Sequence, residues 1–374
     1  MSKLNNRCEK VFVGLAGFLQ IQSEWENLAN AEGFHFLHFP AWYQAELAER
    51  DDTKNVFFVA LYSGDRLQAV LPFEKVQLKK GPIALPVMQL FYPNEMGVND
   101  IVVAQNFDLD LRVVSKALAK SAGWFAFIRW QCILASGNAI VPPDVGSHVR
   151  MTHDSKYLNF SEGFDNFWSG YSSKFRKGIQ KKMRKAEEQG VLTLSVTRDP
   201  NELVSAFDTF LKIENSGWKG EKGTSILKQP RKLAYYQSLL AQYGALGLLQ
   251  INLLYLGDEP IAGQLGVKVK NRLFLLKIGF LEEYSVCSPG YLILFMLVQK
   301  MANEGEVSGV SFVTGVDWID RWHPQKDSVG IAYSDNGSLW SRALVQGLRK
   351  AIAIREVRRA KGADETELKS DSDE

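Results

Sequence analysis

Cysteine and histidine are scarce in this chain, and neither is clustered. Cys8, Cys132 and Cys287 stand far apart among 374 residues, and there are only five histidines. With no CxxC pair and no Cys/His spacing, neither a disulfide framework nor a zinc site is indicated, and no metal is expected. Charge of one sign is lacking too. Lys and Arg number 44 against 42 Asp and Glu, for a formal net charge of +2. Nothing in the total therefore steers the chain toward nucleic acid or a membrane, and only local clusters can. Long apolar runs are absent. The longest, Tyr291 to Val298, falls far short of the roughly 20 residues a transmembrane helix needs. Met1 to Arg7 are polar and no apolar signal core follows, so the expected location is the cytoplasm.

What is present is the composition of a globular protein, 46% hydrophobic and 23% charged, at a length that favours two domains. The first half reads as a strand at Lys10–Val13, helices at Gln22–Ala31 and Pro40–Ala48, and a hairpin of Val56–Tyr62 with Leu67–Phe73. The looser segment Gly81–Asn99, a helix at Leu109–Ala122 and an aromatic strand at Trp124–Trp130 follow. Pro142 to Ser147 breaks the pattern as a linker. Helices are then expected at Lys174–Gln189, from Pro200 after an Asp199 cap, and from Pro230 to Tyr243. Three strands (Leu248–Leu256, Ile261–Val269, Leu273–Leu281) precede a helix ending near Gly305. Strands at Val307–Val313 and Val329–Tyr333 and a helix at Leu339–Arg359 complete the second half. The tail from Gly362 is acidic and polar, the composition of a disordered segment. Phe58 to Asp65 echoes Asn252 to Asp258, each an apolar strand ending in Gly-Asp, which suggests a duplicated unit.

The most informative stretch is Ser288-Pro289-Gly290-Tyr291. It reads as a tight turn into a buried helix, with Pro289 at the first helical position. A helix start leaves backbone N–H groups without partners and carries partial positive charge, and Gly290 allows close approach, so the turn can cradle phosphate. An ordinary capped core helix has the same appearance. Cys287 beside it reads as a reactive thiol or a small core residue.

Between Lys174 and Lys185 stand seven cations, Lys174 and Arg176 first among them, and no acid. They form a solvated helix face or an anion-binding one. With few interleaved aromatics, nucleic acid is not expected. Glu214 ends a helix and can accept a proton from an attacking amine. Trp218 and Lys219 follow in the glycine-bracketed loop Gly217–Gly223, which has the make-up of a lid over a substrate. Asp317, Trp318, Asp320, Arg321, Trp322 and His323 form the densest polar-aromatic cluster, just past a strand. Asp317 or His323 can serve as a base there, and Trp318 or Trp322 can stack on a ring; His323 also fits an ordinary surface position.

The second half resembles the GNAT acyltransferases, in particular a CelD-like branch named for a cellulose-biosynthesis protein. Ser173-Lys174-Phe175-Arg176, Trp218-Lys219-Gly220, Pro260-Ile261-Ala262-Gly263, Ser288-Pro289-Gly290 and Phe312-Val313-Thr314-Gly315 carry the resemblance, in that order, from Phe167 to Trp322. The resemblance implies an α/β (α+β) protein of tandem GNAT-like domains, each a mixed, largely antiparallel sheet flanked by helices. Residues 1–160 would be a degenerate first domain, 161–360 the acyltransferase domain and 361–374 the tail. It implies an acyl-CoA co-substrate (acetyl-CoA or longer) held at Ser288, Pro289, Gly290 and Tyr291, with Glu214 and Asp317 as catalytic bases. Lys174, Arg176, Trp218, Lys219, Trp318 and Trp322 would meet the substrate, an amine on a small molecule or glycan of cell-envelope or polysaccharide biosynthesis. Two other readings stand beside it: a Fem-type transferase drawing on aminoacyl-tRNA, and a non-catalytic scaffold, suggested by Ser311 and Asp320 at positions where the branch has other residues.

Overall fold

The computed structural model describes residues 7–91, 93, 97–134 and 150–370, without the side chains of 80, 83, 218 and 355–370. The expected linker Pro142 to Ser147 and the last four residues of the tail lie outside the described residues. The first half runs β1 (Arg7–Val13), α1 (Gly14–Glu32), α2 (Pro40–Ala48), β2 (Val56–Ser63), β3 (Arg66–Lys80), β4 (Ile83–Leu90), the two-residue β5 (Val102–Val103), α3 (Leu111–Ala122) and β6 (Ile128–Leu134). The second runs β7 (Arg150–Asn159), α4 (Phe164–Ser169), α5 (Ser173–Glu187), β8 (Leu192–Thr197), α6 (Pro200–Asn215), α7 (Trp218–Glu221), α8 (Pro230–Ala245), β9 (Leu249–Leu256), β10 (Glu259–Val269), β11 (Arg272–Phe280), α9 (Pro289–Glu304), β12 (Gly309–Ser311), β13 (Gln325–Ser334) and α10 (Leu339–Ser370).

Local chemistry accounts for the element ends. Asp199 caps α6 by accepting the Asn201 N–H at 2.9 Å, with Pro200 at the first helical position. Ser172 caps α5 by accepting from Phe175 N–H at 3.2 Å. Gly305 closes α9 in the left-handed conformation, φ 66°. The Gly-Asp echo is a true pair of hairpins, each turned by a glycine with positive φ, Gly64 (60°) and Gly257 (61°).

Both halves repeat one topology. In the first, β1, β2, β3 and β4 pair antiparallel in sequence and β6 joins β4 in parallel. In the second, β8, β9, β10 and β11 do the same and β12 joins β11 in parallel. Two longer helices lie between the first and second strands of each, with the short α7 added in the second half, and one helix lies between the fourth and last. The two units form a single mixed sheet, joined through β13 and β7 in the order β6-β13-β7-β12. β7 follows the first unit in sequence but pairs with the second unit's β12, whereas β13 follows the second unit and pairs with β6.

Helices cover both faces, so inner strands are apolar without alternation. Along β2, Phe58 and Ala60 face α1 and α2 while Phe57 and Val59 face α3. The core under α1 and α2 is continuous with that under α6 and α8: Trp42 packs at once on Phe36, Tyr235 and Tyr243.

Three strands were not expected from the sequence, the two-residue β5, β7 and β8. β7 reads Arg-Met-Thr-His-Asp-Ser-Lys-Tyr-Leu-Asn, too polar for a central strand by composition. Its polar side chains have local partners: the His153 ring meets Gly97 O at 2.6 Å and Lys156 pairs with Asp320 at 2.7 Å. The last helix continues to Ser370 rather than ending near Arg359, through a stretch rich in good helix formers. Among the described residues, no helix is long and apolar enough to cross a membrane, and no three His, Cys, Asp or Glu side chains gather as a metal site.

Candidate active site

β11 and β12 run together only briefly. Arg272, Leu273 and Phe274 pair with Gly309, Val310 and Ser311, and beyond them β11 continues alone to Phe280. The parting opens a cleft of about 370 Å³. Ile278, Gly279 and Phe280 of β11 form one wall, and Val316 and Trp318 face them. Gly290 and Ile293 of α9 and Ile213 and Glu214 of α6 close it from either face of the sheet. An apolar cleft with a few convergent polar groups is the usual form of a small-molecule site.

Glu214 reaches the cleft because two glycines let α6 lie close on the sheet. A Cβ on Gly279 would stand 3.0 Å from Glu214 Cα, and one on Gly263 would stand 2.9 Å from the Phe210 ring. Only 3% of Glu214 is exposed. One carboxylate oxygen accepts the Ile226 N–H at 2.9 Å, and the other lies 3.3 Å from Lys219 Nζ. Lys219 also donates to Ile278 O at 2.8 Å. It ties the turn α7 to the unpaired edge of β11 and neutralises Glu214 across the cleft wall.

The sequence reading missed Gln264. Arg198 Nε donates to Gln250 Oε1 at 2.8 Å, Gln250 Nε2 to Asn252 Oδ1 at 2.6 Å, and Asn252 Nδ2 to Gln264 Oε1 at 3.2 Å. All three amides are buried. Arginine can only donate, so it sets the direction of every amide in the row. The row ends with the Gln264 amide nitrogen, which has no partner among the described residues, on the residue that lines the cleft. The available signal was polar Gln250 and Asn252 two apart on one face of an otherwise apolar strand, in register with Gln264.

The Ser-Pro-Gly turn differs in detail from a cradle of four free N–H groups. Pro289 has none, and Tyr291 and Leu292 both donate to Ser288 O, at 3.0 and 3.3 Å. Gly290 is left as the first N–H with no partner among the described residues. A Cβ at Gly290 would meet nothing within 4 Å. The protein's own packing therefore gives no reason for glycine there, and the space belongs to the cleft. Ser288 itself is left-handed, φ 55°, as are Val313 (62°) and His323 (46°). Such strain in non-glycine residues costs of order 1–3 kcal/mol each and gathers at functional sites. For β-branched Val313 it is a pronounced outlier.

On the other flank of α9 lies a hollow of about 390 Å³ lined by Ser172, Lys174, Lys182, Tyr291, Arg321 and His323, with no carboxylate in its walls. Lys182 donates to Ser288 Oγ and stands over the Tyr291 ring at 5.5 Å. The basic helix α5 is thereby docked against the start of α9.

The expected residues therefore separate. Glu214, Lys219, Gly290 and Trp318 meet in the first cleft, and Lys174 and Tyr291 in the second hollow. Ser288 is held between α5 and α9, and Pro289 is buried in the first turn of the helix. Asp317 is exposed at the start of a helical turn (Asp317–Trp322), outside both linings. Trp322 is fully buried, packed on Phe175 and Tyr171, because Tyr171 Oη bonds its carbonyl at 2.6 Å and draws the turn inward. It is a core residue rather than a substrate contact. Arg176 lies outside both linings, two residues and so about 200° around α5 from Lys174. Trp218 begins α7, and its side chain lies outside the described residues. Cys287 is buried.

These features meet in one recognisable segment. Residues 173–322 match the acetyltransferase (GNAT) domain family. The GNAT match therefore contains α5, the parting strands, the first cleft and all of the second hollow's lining but Ser172 and His323. A search of curated proteins finds no match to the chain. Among solved structures, the fold is similar to that of FemX, with a TM-score of 0.53 at 11% identity over 88% of this chain and 98% of that one. L-PGS from Bacillus licheniformis is similar at a TM-score of 0.50 and 14% identity, over 88% and 96% of the two chains. The C-terminal domain of a putative lysylphosphatidylglycerol synthetase from Agrobacterium fabrum is similar at 0.50 and 10%, over 87% and 95%. At these identities the likeness is one of fold, over nearly the whole chain.

Beside the GNAT cleft, burial lowers Lys277 from 10.5 to about 8, aided by Lys232 and Lys219 and opposed by Glu214. Below pH 8 the charged ammonium weakens the fold, by a ceiling of about 3 kcal/mol at 1.36 per unit, less what solvent screening removes. Between pH 8 and 10.5 the unfolded chain holds the proton that the fold has released, so stability rises with pH. Lys277→Met is expected to raise the urea midpoint at pH 7 and to flatten its rise above pH 8. Equal slopes in the two proteins would contradict this account of Lys277.

Proposed function

We propose that the protein transfers an acyl group from acyl-CoA to an amine, with the cleft of the second unit as its active site. The observation that carries this reading is the parting of β11 from β12, which opens a path between the free Gly290 N–H and the Glu214 carboxylate. The thioester arm of the donor fits the apolar cleft. Its phosphates fit the Gly290 N–H and the cationic hollow of Lys174, Lys182 and Arg321 beyond Tyr291. The amine nitrogen attacks the thioester carbonyl, the C–N bond forms, the C–S bond breaks, and the thiolate leaves. Glu214 accepts the amine proton, directly or through water, and the thiolate takes up a proton to leave as the thiol. The Gln264 amide supports the developing oxyanion, held in direction by Asn252, Gln250 and Arg198.

A two-unit division belongs to this proposal, with the first unit inactive. Asn99 donates to Cys132 O at 2.6 Å and bridges Ile133, so the chain itself lies against the β6 edge that corresponds to the second unit's cleft. The acceptor class is an amine on a small molecule or glycan, in an envelope or polysaccharide setting.

Calorimetry with acetyl-CoA and longer acyl-CoAs tests the donor. Gly290→Leu fills open space, so the melting temperature should not change. Donor affinity should fall roughly a hundredfold or more, about 2.7 kcal/mol. A folded wild-type protein that binds no acyl-CoA would overturn the donor. Steeply salt-dependent binding of tRNA in its place would move the reading to the Fem-type donor.

A further inference from the structure

At the far end of the first unit two tryptophans stand in solvent together. Trp124, just past α3, and Trp340, in the first turn of α10, have ring centroids 5.9 Å apart and yet remain 58% and 53% exposed. Leu339 beside them is 82% exposed. A folded chain does not place two indoles and a leucine side by side in water by packing need, because none of the three adds to a core.

The corner is firmly built. Asn336 Nδ2 donates to Phe125 O at 2.5 Å and Ser341 Oγ to Ala126 O at 2.6 Å, pinning the start of α10 to the segment between Trp124 and β6. Ser115 Oγ of α3 reaches Asp335 O at 3.3 Å. Ala351 and Ile354 continue the Trp340 face along α10 at helical spacing, and both are exposed.

Charge identifies the occupant. Residues 111–134 contain Arg112, Lys116, Lys120 and Arg129 and no acid, and residues 336–355 contain Arg342, Arg349, Lys350 and Arg355 and no acid. The rest of the chain carries 36 Lys and Arg against 42 Asp and Glu. Of the acids at the borders, Asp110 is paired with Arg112 and Asp335 with Arg342. Lys116, Lys120 and Lys350 are exposed, with no side-chain partner among the described residues.

We infer that this corner docks on an anionic lipid surface, with Trp124, Trp340 and Leu339 entering the headgroup region and the surrounding cations meeting lipid phosphate. Indoles favour that depth because they are apolar in body and polar at one edge. Each basic side chain near such a surface adds attraction, and aromatic insertion with a basic surround gives the two signals stable docking requires. Neither cleft takes part, so this inference stands independently of the proposed reaction.

Co-sedimentation of the full chain with vesicles tests it. The protein should pellet with vesicles of phosphatidylglycerol mixed with phosphatidylcholine, and far less with phosphatidylcholine alone. Trp124→Ala/Trp340→Ala should lower the partition coefficient about tenfold or more without changing the melting temperature. A second variant, Lys116→Glu/Lys120→Glu, should lose the preference for anionic vesicles while retaining its circular dichroism. Wild-type protein that stays in the supernatant with anionic vesicles at low salt overturns the proposal. So does equal partition of wild-type and double-Trp proteins. A concentration-dependent dimer that the Trp variants abolish, with no vesicle binding, would assign the face to a second copy of the chain instead.

Discussion

Replacing Glu214 by Gln is expected to lower kcat by about 10²–10⁴-fold, the range of a lost general base. KM for the acyl donor should change little, because Glu214 lies on the α6 side of the cleft and Gly290 at its α9 end. The substitution keeps volume, and Gln can still accept the Ile226 N–H, so α6 should hold its place. What disappears is the negative charge beside Lys219, 3.3 Å away. Breaking a fully buried ion pair costs about 3–5 kcal/mol, and here water reaches Lys219, so a smaller loss of stability is expected. Steady-state kinetics with a saturating amine, together with a melting curve, separate the two effects. Turnover equal to wild type would remove Glu214 from the chemistry. A fall matched by a collapsed melting curve would make it a structural residue.

The largest effect on stability is expected at Trp42, far from either cleft. Trp42→Ala should destabilise the protein by about 3–5 kcal/mol, the usual cost of emptying an aromatic site in a core. Single domains are stable by only about 5–15 kcal/mol, so much of the variant should be unfolded at physiological temperature. Trp42 is fully buried and touches Phe36, 4.8 Å between ring centroids, and Tyr235, 5.6 Å. Those rings belong to different halves of the chain, so both units should lose structure in one transition. Trp42→Phe should cost much less. The indole Nε1 has no hydrogen-bond partner among the described residues, and its removal takes an unsatisfied donor out of the core. A urea midpoint for Trp42→Ala near that of the wild type would refute the shared core.

Features set by neighbours in sequence were legible before the structure was. Asp199-Pro200, the Gly257 turn and the Ser288-Pro289-Gly290 helix start each depend on a few adjacent residues, and each stands where the sequence places it. Glu214 and Lys219 were legible as site candidates because a helix end beside a glycine-bracketed loop exposes functional groups. The aromatic cluster misled for the opposite reason. Asp317 and Trp322 sit in one short turn, and Lys156 and Tyr171, more than 140 residues earlier, fix which side of it faces inward. Nothing local encodes that choice. Gln264 was illegible alone, since one amide in an apolar strand looks like an imperfection until Asn252 and Gln250 line up beside it. β7 was missed because its place in the sheet comes from pairing on both edges rather than from apolar side chains.

The central pairing has a consequence for how the molecule can be divided. Each unit is completed by the strand that trails the other, β7 on β12 and β13 on β6. The arrangement is a reciprocal loan of strands within one polypeptide. A fragment spanning only the matched GNAT segment would carry neither strand and would present a bare β12 edge, open to pairing with other chains. A cut placed just after β7 would instead yield two pieces, each holding the strand that the other lacks. Mixed together, they are equipped to rebuild the sheet by mutual complementation.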